Sequence, residues 1–332
     1  METRKVQVTG GSTYTVSLPK DWATENDVSA GSVVEFHSEE DILLLSPKSD
    51  QEREEGSIEI DGLEGDRLTR AVMTMYVSGF DVINFEASRV TAGQRRTIRE
   101  ATQGLVGLEV IEETGERVVL QDLLDSSELS VHNAITRMRL VSLTMLSDAV
   151  TALLENDDEL AHDVIERDDD VDRLWYMVSR VFRTVLRNPA AATEIGFPRE
   201  TVFDYQSSAR QLERIADHAT KIASISLEIG PVNESVAEAL SALQTASVTV
   251  PETAMDALLE ADPDDAVDLA TDARADLPGI DQRARDVDDV IRDLDDPELA
   301  QSLGLVVDSL SRTADYGANI AESALQKAAP TP

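Results

Sequence analysis

The sequence predicts a multidomain, mainly α chain in which a small β-rich unit and an α+β middle domain precede two three-helix bundles. Three observations lead there. At roughly 150 residues per domain, 332 residues are too many for one compact unit. Strand-like runs punctuated by Gly and Pro fill the first third and stop after Asp125. Beyond that point long apolar-periodic stretches alternate with short Pro- and Asp-rich breaks. A 4% aromatic share against 42% hydrophobic residues suits helices packed through Leu, Val and Ala.

In chain order, Arg4 to Val8 and Tyr14 to Leu18 read as strands around the turn Gly10-Gly11-Ser12. Lys20 to Asn26 reads as a helical turn, and Gly31 opens a strand through Phe36 that returns as Ile42 to Leu45. This ββαββ unit, residues 1–47, holds too little core to stand alone and is expected to gain its apolar partner surface from a second copy of itself. Residues 48–57, KSDQEREEGS, read as a polar linker. The α+β domain, 58–125, reads as strand Ile58 to Ile60, helix Asp66 to Ser78, strand Phe80 to Phe85, helix Thr91 to Gln103, and strands 108–113 and 117–122. Gly79-Phe80-Asp81-Val82-Ile83 and Gly107-Leu108-Glu109-Val110-Ile111 share one pattern, each leading from a helix end into a strand.

The helical part divides into 126–230 and 231–328. Helices are expected at about Leu129 to Glu155, Glu159 to Arg187 and Arg199 to Ile229, then Glu234 to Glu260, Asp264 to Leu294 and Pro297 to Lys327. NPAAATEIGFP and GPVN read as turns, and Pro251 and Pro278 are expected to kink or interrupt the fourth and fifth helices. Trp175, Tyr176, Leu174, Val178, Val181, Phe182 and Val185 recur at helical spacing and read as bundle core.

Charge narrows the function classes. With 65 acidic against 29 basic residues the formal charge is −36, which disfavours general nucleic-acid affinity. Only five of the basic residues are Lys, and this Asp-rich, Lys-poor balance reads as halophilic. In about 1 M salt the Debye length is roughly 3 Å, so self-repulsion is screened. Without cysteine there is no disulfide, thiolate nucleophile or Cys-type zinc site. No secretory core and no membrane-length apolar run is present, so a cytoplasmic protein without an integral membrane segment is expected. No phosphate loop, nucleophile elbow, metalloprotease pair or dinucleotide fingerprint appears, and no catalytic residue is assigned.

Gln211 to Ala223, QLERIADHATKIA, and Ser309 to Ala321, SLSRTADYGANIA, match at six of thirteen positions, each in the third helix of its triplet. This marks an internal duplication. The run Leu212-Glu213-Arg214-Ile215-Ala216-Asp217-His218, followed by Ile222-Ala223, resembles the signature of the PhoU family of phosphate-uptake regulators, which is built of two three-helix repeats. Val164-Ile165-Glu166-Arg167-Asp168-Asp169-Asp170-Val171-Asp172 is similar to that family's second-helix motif. The second copy has Ser311 where the family has Glu, while Arg312, Asp315 and Asn319 remain. The segment VTGGSTYTVSLPKDWATENDVSAGSVVEF resembles the AbrB or SpoVT swapped-hairpin barrels, which are dimeric and bind DNA. The three parts in this order are similar to an archaeal PhoU-like regulator.

The resemblance implies metal ligands at Glu213, Asp217, Asp168, Asp172 and, in the second copy, Asp315, with Asp272 and Asp276 as weaker counterparts. Glu213 and Asp217, four apart on a helix, share a face and suit Mg, Mn, Fe or Zn. In a chain this acidic such pairs are common by chance, so spacing alone does not establish a site. Both lie well off the stripe of Leu212, Ile215, Ala219 and Ile222 and are expected at the surface. His218 is either an added ligand or, more commonly, a hydrogen-bonded imidazole. Arg4, Lys5 and Lys20 form a basic island to which Thr9 and Ser12 are expected to add phosphate contacts, the DNA-binding set of the alternative reading. Gln94, Arg95, Arg96 and Arg99 read as a solvated helix face.

The function implied is regulation of phosphate uptake and homeostasis by a homodimer docking on phosphate ABC-transporter components or phosphate-signalling proteins. The alternative is an AbrB-type transcription regulator binding DNA through residues 1–47.

Overall fold

The computed structural model describes residues 3–39, 42–48, 54–124 and 130–330, and the chain forms two compact units, 1–53 and 54–332. The first consists of two hairpins and a short helix. β1 (Gln7–Thr9) pairs antiparallel with β2 (Thr13–Thr15) across the Gly10-Gly11 turn, in the register Val8 to Tyr14. After α1 (Lys20–Glu25), β3 (Val34–Glu39) pairs with β4 (Ile42–Pro47) over six positions. The hairpins are two separate two-stranded sheets, so one chain does not close a barrel. No described residue of this unit is buried, and Val6, Val8, Tyr14 and Val16 are more than half exposed. Val8 and Tyr14 face each other across the strands while Gln7, Thr9, Thr13 and Thr15 alternate with them, leaving an uncovered apolar face.

The second unit begins with an α+β layer. β5 (Glu55–Glu59) lies parallel to β6 (Val82–Glu86), β8 (Arg117–Asp122) runs antiparallel beside β6, and β7 (Leu108–Glu113) closes the order β5-β6-β8-β7. The expected linker therefore ends early: Glu55, Gly56 and Ser57 are strand, drawn into the sheet by pairing with β6, and residues 49–53 lie outside those described. Alternation decides the sheet's faces. Ile83 and Phe85 of β6 and Val118 and Leu120 of β8 pack with Leu68, Val72 and Tyr76 of α2 (Gly65–Val77) and Ile98 of α3 (Ala92–Gln103). Asn84 and Val119, which pair across β6 and β8, point the other way. The repeated glycines differ in what they need. Both have φ above +80°, and a Cβ at Gly107 would meet Asp122 Oδ1 at 2.7 Å, so that position needs Gly for space as well as for conformation.

The helical part comprises α4 (Val131–Glu155), α5 (Asp158–Arg187), α6 (Pro189–Ile195), α7 (Arg199–Glu228), α8 (Glu234–Leu259), α9 (Pro263–Ala275), α10 (Leu277–Arg292) and α11 (Pro297–Ala328). α4 is capped by Ser130 and begins at Val131, and Leu129 lies outside the described residues. α4, α5 and α7 form one triplet, and α8, α9 with α10, and α11 the other, over a shared core. One expectation is corrected: the stretch NPAAATEIGFP holds a short helix between caps, with Asn188 accepting from the Ala190 N–H and Gly196 left-handed at the end. The fifth helix is interrupted as expected, at Asp276, with Pro278 in the first turn of α10, while α8 continues through Pro251 without interruption.

The duplication is visible in space. α7 and α11 pack antiparallel, with Gln211 Oε1 accepting from Asn319 Nδ2 at 3.3 Å and His218 Nε2 3.2 Å from Tyr316 Oη. His218 and Tyr316 are equivalent residues of the two repeats, so equivalent positions meet, as they must near a pseudo-two-fold axis.

Candidate carboxylate patch on the first repeat

α5 and α7 run side by side, and their facing surfaces carry two acid pairs spaced four apart, Asp168 with Asp172 and Glu213 with Asp217. The structure brings these four together, and their fields act on one another. Burial pushes Glu213 up to about 7, with Asp217 and Asp172 adding to the rise and Arg210 and Arg214 opposing it. Asp172 rises to about 6 through burial first, then the charges of Asp168, Asp217 and Asp169. Asp168 is raised by burial and by Asp217 and Asp169, against the Thr220 hydroxyl. Asp217, at the exposed rim, is raised by burial and held back by Arg210 and Arg214.

Glu213 is the correction to the helical wheel. It is 8% exposed, not a surface group, because α5 covers the flank of α7 that a single amphipathic helix would leave in water. One oxygen is satisfied: Oε1 accepts from Arg210 Nη1 at 2.6 Å. Oε2 is buried without a hydrogen-bond partner, a state that costs free energy for a charged oxygen. Arg210 lies over the Trp175 ring, 5.3 Å from its centroid, so one guanidinium bridges an aromatic face on α5 and a carboxylate on α7.

The remaining candidates lie elsewhere. His218 turns to Tyr316, and its pKa is lowered by burial and by Lys221. Asp315 is exposed on α11 with Arg312 3.6 Å away. Asp272 and Asp276 are exposed on and after α9. In the first unit Arg4 and Lys5 precede β1, Thr9 and Ser12 sit at the turn end of the hairpin with Thr9 Oγ1 3.3 Å from Thr15 Oγ1, and Lys20 begins α1. The DNA-binding set read from the sequence is thus divided: Arg4 and Lys5 precede the hairpin, Thr9 and Ser12 flank its turn, and Lys20 lies beyond it on α1.

The donor types suit a hard cation: four carboxylates, three of them raised in part by the charges of the others, and one with an orphaned buried oxygen. Among the described residues, however, no three His, Asp or Glu side chains stand close enough together to hold an ion. Any cation would require these carboxylates to draw in.

A further arginine site escaped the sequence. Arg180, buried within α5, donates to the carbonyls of Tyr76 at 2.8 Å and Phe80 at 2.9 Å, pairs with Asp122 at 2.9 Å and Asp81 at 3.1 Å, and lies 5.0 Å from the Tyr76 ring centroid. It fastens the α+β layer to the first repeat. Tyr176 belongs to the same junction, correcting its place in the bundle core: it packs against the α+β core, and burial and the charges of Asp172 and Glu213 raise its pKa. In the expected solvated basic face, Gln94 is buried and donates to Ile60 and Leu63 carbonyls, and Arg99 pairs with Glu113.

The PhoU domain family matches residues 135–226, which contain the whole patch, and the family described as antidote-toxin recognition MazE, bacterial antitoxin, matches residues 7–53. No curated protein matches. Among solved structures, PhoU from Pseudomonas aeruginosa is 22% identical and aligns over 60% of this chain and 96% of its own, with a TM-score of 0.50. The phosphate transport system regulatory protein PhoU from Streptococcus pneumoniae is 22% identical over 59% of this chain and 91% of its own, with a TM-score of 0.49. At this identity the first likeness speaks for the fold. Among the described residues no helix is long and apolar enough to cross a membrane.

Proposed function

We propose that this chain, which carries a PhoU domain over residues 135–226, is a regulator of phosphate uptake and phosphate homeostasis that acts by docking on phosphate ABC-transporter components or phosphate-signalling proteins. The family match to the repeat that bears the carboxylate patch is the observation behind it. The protein would regulate by binding one partner state better than another, without turnover. The patch would be its ion-responsive element. Asp168, Asp172, Glu213 and Asp217 would hold a divalent or transition cation (Mg, Mn, Fe or Zn), with Asp315 a lesser counterpart. A bound cation would neutralise carboxylates that now repel one another.

A second copy of the chain is the partner proposed for the first unit. Its hairpins bury nothing internally, so the apolar face of Val6, Val8, Tyr14 and Val16 gains most by pairing with its own equivalent. The MazE-family match over residues 7–53 supports the rival reading, a DNA-binding regulator using Arg4, Lys5, Thr9, Ser12 and Lys20.

One experiment separates the two. Tagged protein is recovered from phosphate-replete and phosphate-starved cells at native salt, and bound proteins and bound DNA are read from one lysate. Phosphate-transport or signalling components without discrete DNA fragments are expected. Promoter fragments that disappear in an Arg4→Ala, Lys5→Ala variant would favour the transcription reading, and recovery of neither class would overturn phosphate control.

A further inference from the structure

The C-terminal half of α5 departs from the charge of the rest of the chain. Between Asp172 and Glu194 the sequence carries Arg173, Arg180, Arg183 and Arg187 and no acid, in a protein of formal charge −36. Arg180 is buried against the α+β layer, and Arg187 Nη1 donates to the Ser78 carbonyl. Arg183 is exposed and has no hydrogen bond or ion pair among the described residues. Beside these arginines lies apolar surface that the bundle does not cover. Leu186 is 54% and Phe203 49% exposed, and Phe203 is the only exposed Phe, Tyr or Trp among the described residues of the second unit. Its ring centroid lies 5.8 Å from that of Phe182, so α5 and α7 are joined here by a ring pair open to water on one side. Phe182 and Leu186 stand four apart and share a flank of α5, and Arg183 and Arg187, also four apart, take the next flank. On the α7 border Glu200, one turn before Phe203, is an exposed acid. The repeat itself does not require this surface: at the spacing of 98 that aligns His218 with Tyr316, Phe203 corresponds to Gln301.

We propose that Phe182, Leu186, Phe203, Arg183 and Arg187 form a docking surface for an acidic amphipathic helix of a partner protein, whose apolar side chains seat on the ring pair and Leu186 and whose carboxylates meet the two arginines. This deepens the docking reading and rests on it for the partner's identity, while the surface itself is testable apart. Interface centres concentrate aromatic side chains and Arg and are depleted in Lys and acids, as this patch is. Charge selects the occupant. A second copy in two-fold contact would set Arg183 and Arg187 against their own equivalents. Nucleic acid or an anionic membrane would meet the repulsion of the whole acidic chain before these few side chains engaged. A helix with an apolar stripe covers the rings and Leu186 at once, and acids at the edge of that stripe reach Arg183 and Arg187. Ion pairs partly buried in such a contact are screened far less by concentrated salt than charges left in water.

The test uses the full chain at constant high salt and, as probe, a fluorescent synthetic amphipathic helix with leucine on one face and glutamate on the other. Saturable binding by the parent is expected. Phe203→Ser with Leu186→Ser should weaken it by about tenfold or more, the scale of losing central apolar anchors. Arg183→Glu should weaken it about tenfold by reversing a facing charge. Leu140→Ser, at a leucine 69% exposed on α4, should leave it unchanged. All these side chains are exposed, so an unaltered helical signal is expected in every variant. No binding by the parent, or equal binding by the Phe203→Ser, Leu186→Ser variant, would overturn the surface, and anionic phospholipid vesicles binding in place of the helix would overturn its occupant. The recovery from cells is then repeated with the same variants. Phosphate-transport or signalling components should be lost with Phe203→Ser, Leu186→Ser and kept with Leu140→Ser. Their retention in both would overturn the surface and leave the docking reading standing. A parent that recovers none of them yet binds the synthetic helix through this patch would overturn the docking reading and uphold the surface.

Discussion

Glu213 and Asp172 carry a pH dependence whose sign follows from their burial. Both are raised in the folded chain, to about 7 and about 6, whereas unfolded carboxylates titrate near 4 (roughly, for model peptides). Between those values the folded state holds protons that the unfolded state has released, so stability falls as pH rises. Their contribution is complete below about pH 4 and is lost on passing through about 6 to 7. Calorimetry in 2 M KCl should therefore show a higher melting temperature at pH 5 than at pH 8, with a smaller difference in Glu213→Gln. Asp204, raised to about 6 by burial and by Glu200, adds the same sign in both proteins and cancels from the comparison. An identical pH profile in parent and variant would contradict the burial argument. Arg180 makes the other residue-scale prediction. Arg180→Ala strands Asp122, itself almost fully buried, and is expected to cost about 3–5 kcal/mol in denaturant unfolding. Because Arg180 spans two layers, the α+β part should then lose protection from hydrogen exchange before the bundle does.

Among the elements, α8 and α11 are held close by what is missing at their contact. A Cβ at Gly317 would lie 2.5 Å from Pro251 N and 2.9 Å from its Cα. Those are backbone atoms that cannot swing away, so the few tenths to 1 kcal/mol that Ala gains over Gly in a helix is outweighed. Gly317→Ala should destabilise by about 1–3 kcal/mol, and an unchanged denaturation midpoint would disprove that contact. The sequence marks Pro251 as a kink or an interruption; α8 is not interrupted there, and the residue is part of a tight helix crossing. At the start of α3, Thr91 Oγ1 accepts from the Gln94 N–H while Gln94 Oε1 accepts from the Thr91 N–H. Thr91→Ala should remove about 1 kcal/mol of stability, measurable as a lowered urea midpoint. That cap is readable from the letters, whereas the further donation of Gln94 to Ile60 and Leu63 is not.

Over the whole molecule, charge and incompleteness set the behaviour. A formal charge of −36 repels itself in dilute buffer and is screened when the Debye length drops from about 10 Å at 0.1 M to about 3 Å at 1 M salt. The melting temperature should rise steeply between those concentrations, and a flat salt profile would refute self-repulsion as the dominant surface effect. The uncovered apolar face of the first unit predicts a dimer in sedimentation equilibrium. Val8→Thr with Tyr14→Ser should shift that equilibrium toward monomer while leaving the bundle's helical signal unchanged.

Periodicity is local, and what depends on it was settled by the sequence alone. The strands at 108–113 and 117–122, the long helices of both triplets, and the two acid pairs are all written in spacings of two, three or four residues. Contacts across a hundred residues leave no such trace. Nothing near Arg180 announces Asp81, 99 residues before it, or Asp122, 58 residues before it. Nothing near Glu213 announces that α5 will cover it, or that Trp175 will seat the arginine beside it. Burial of a charge is a property of what packs on top of it, so the acidity of the patch and the identity of its counter-ion were decided only by the tertiary structure.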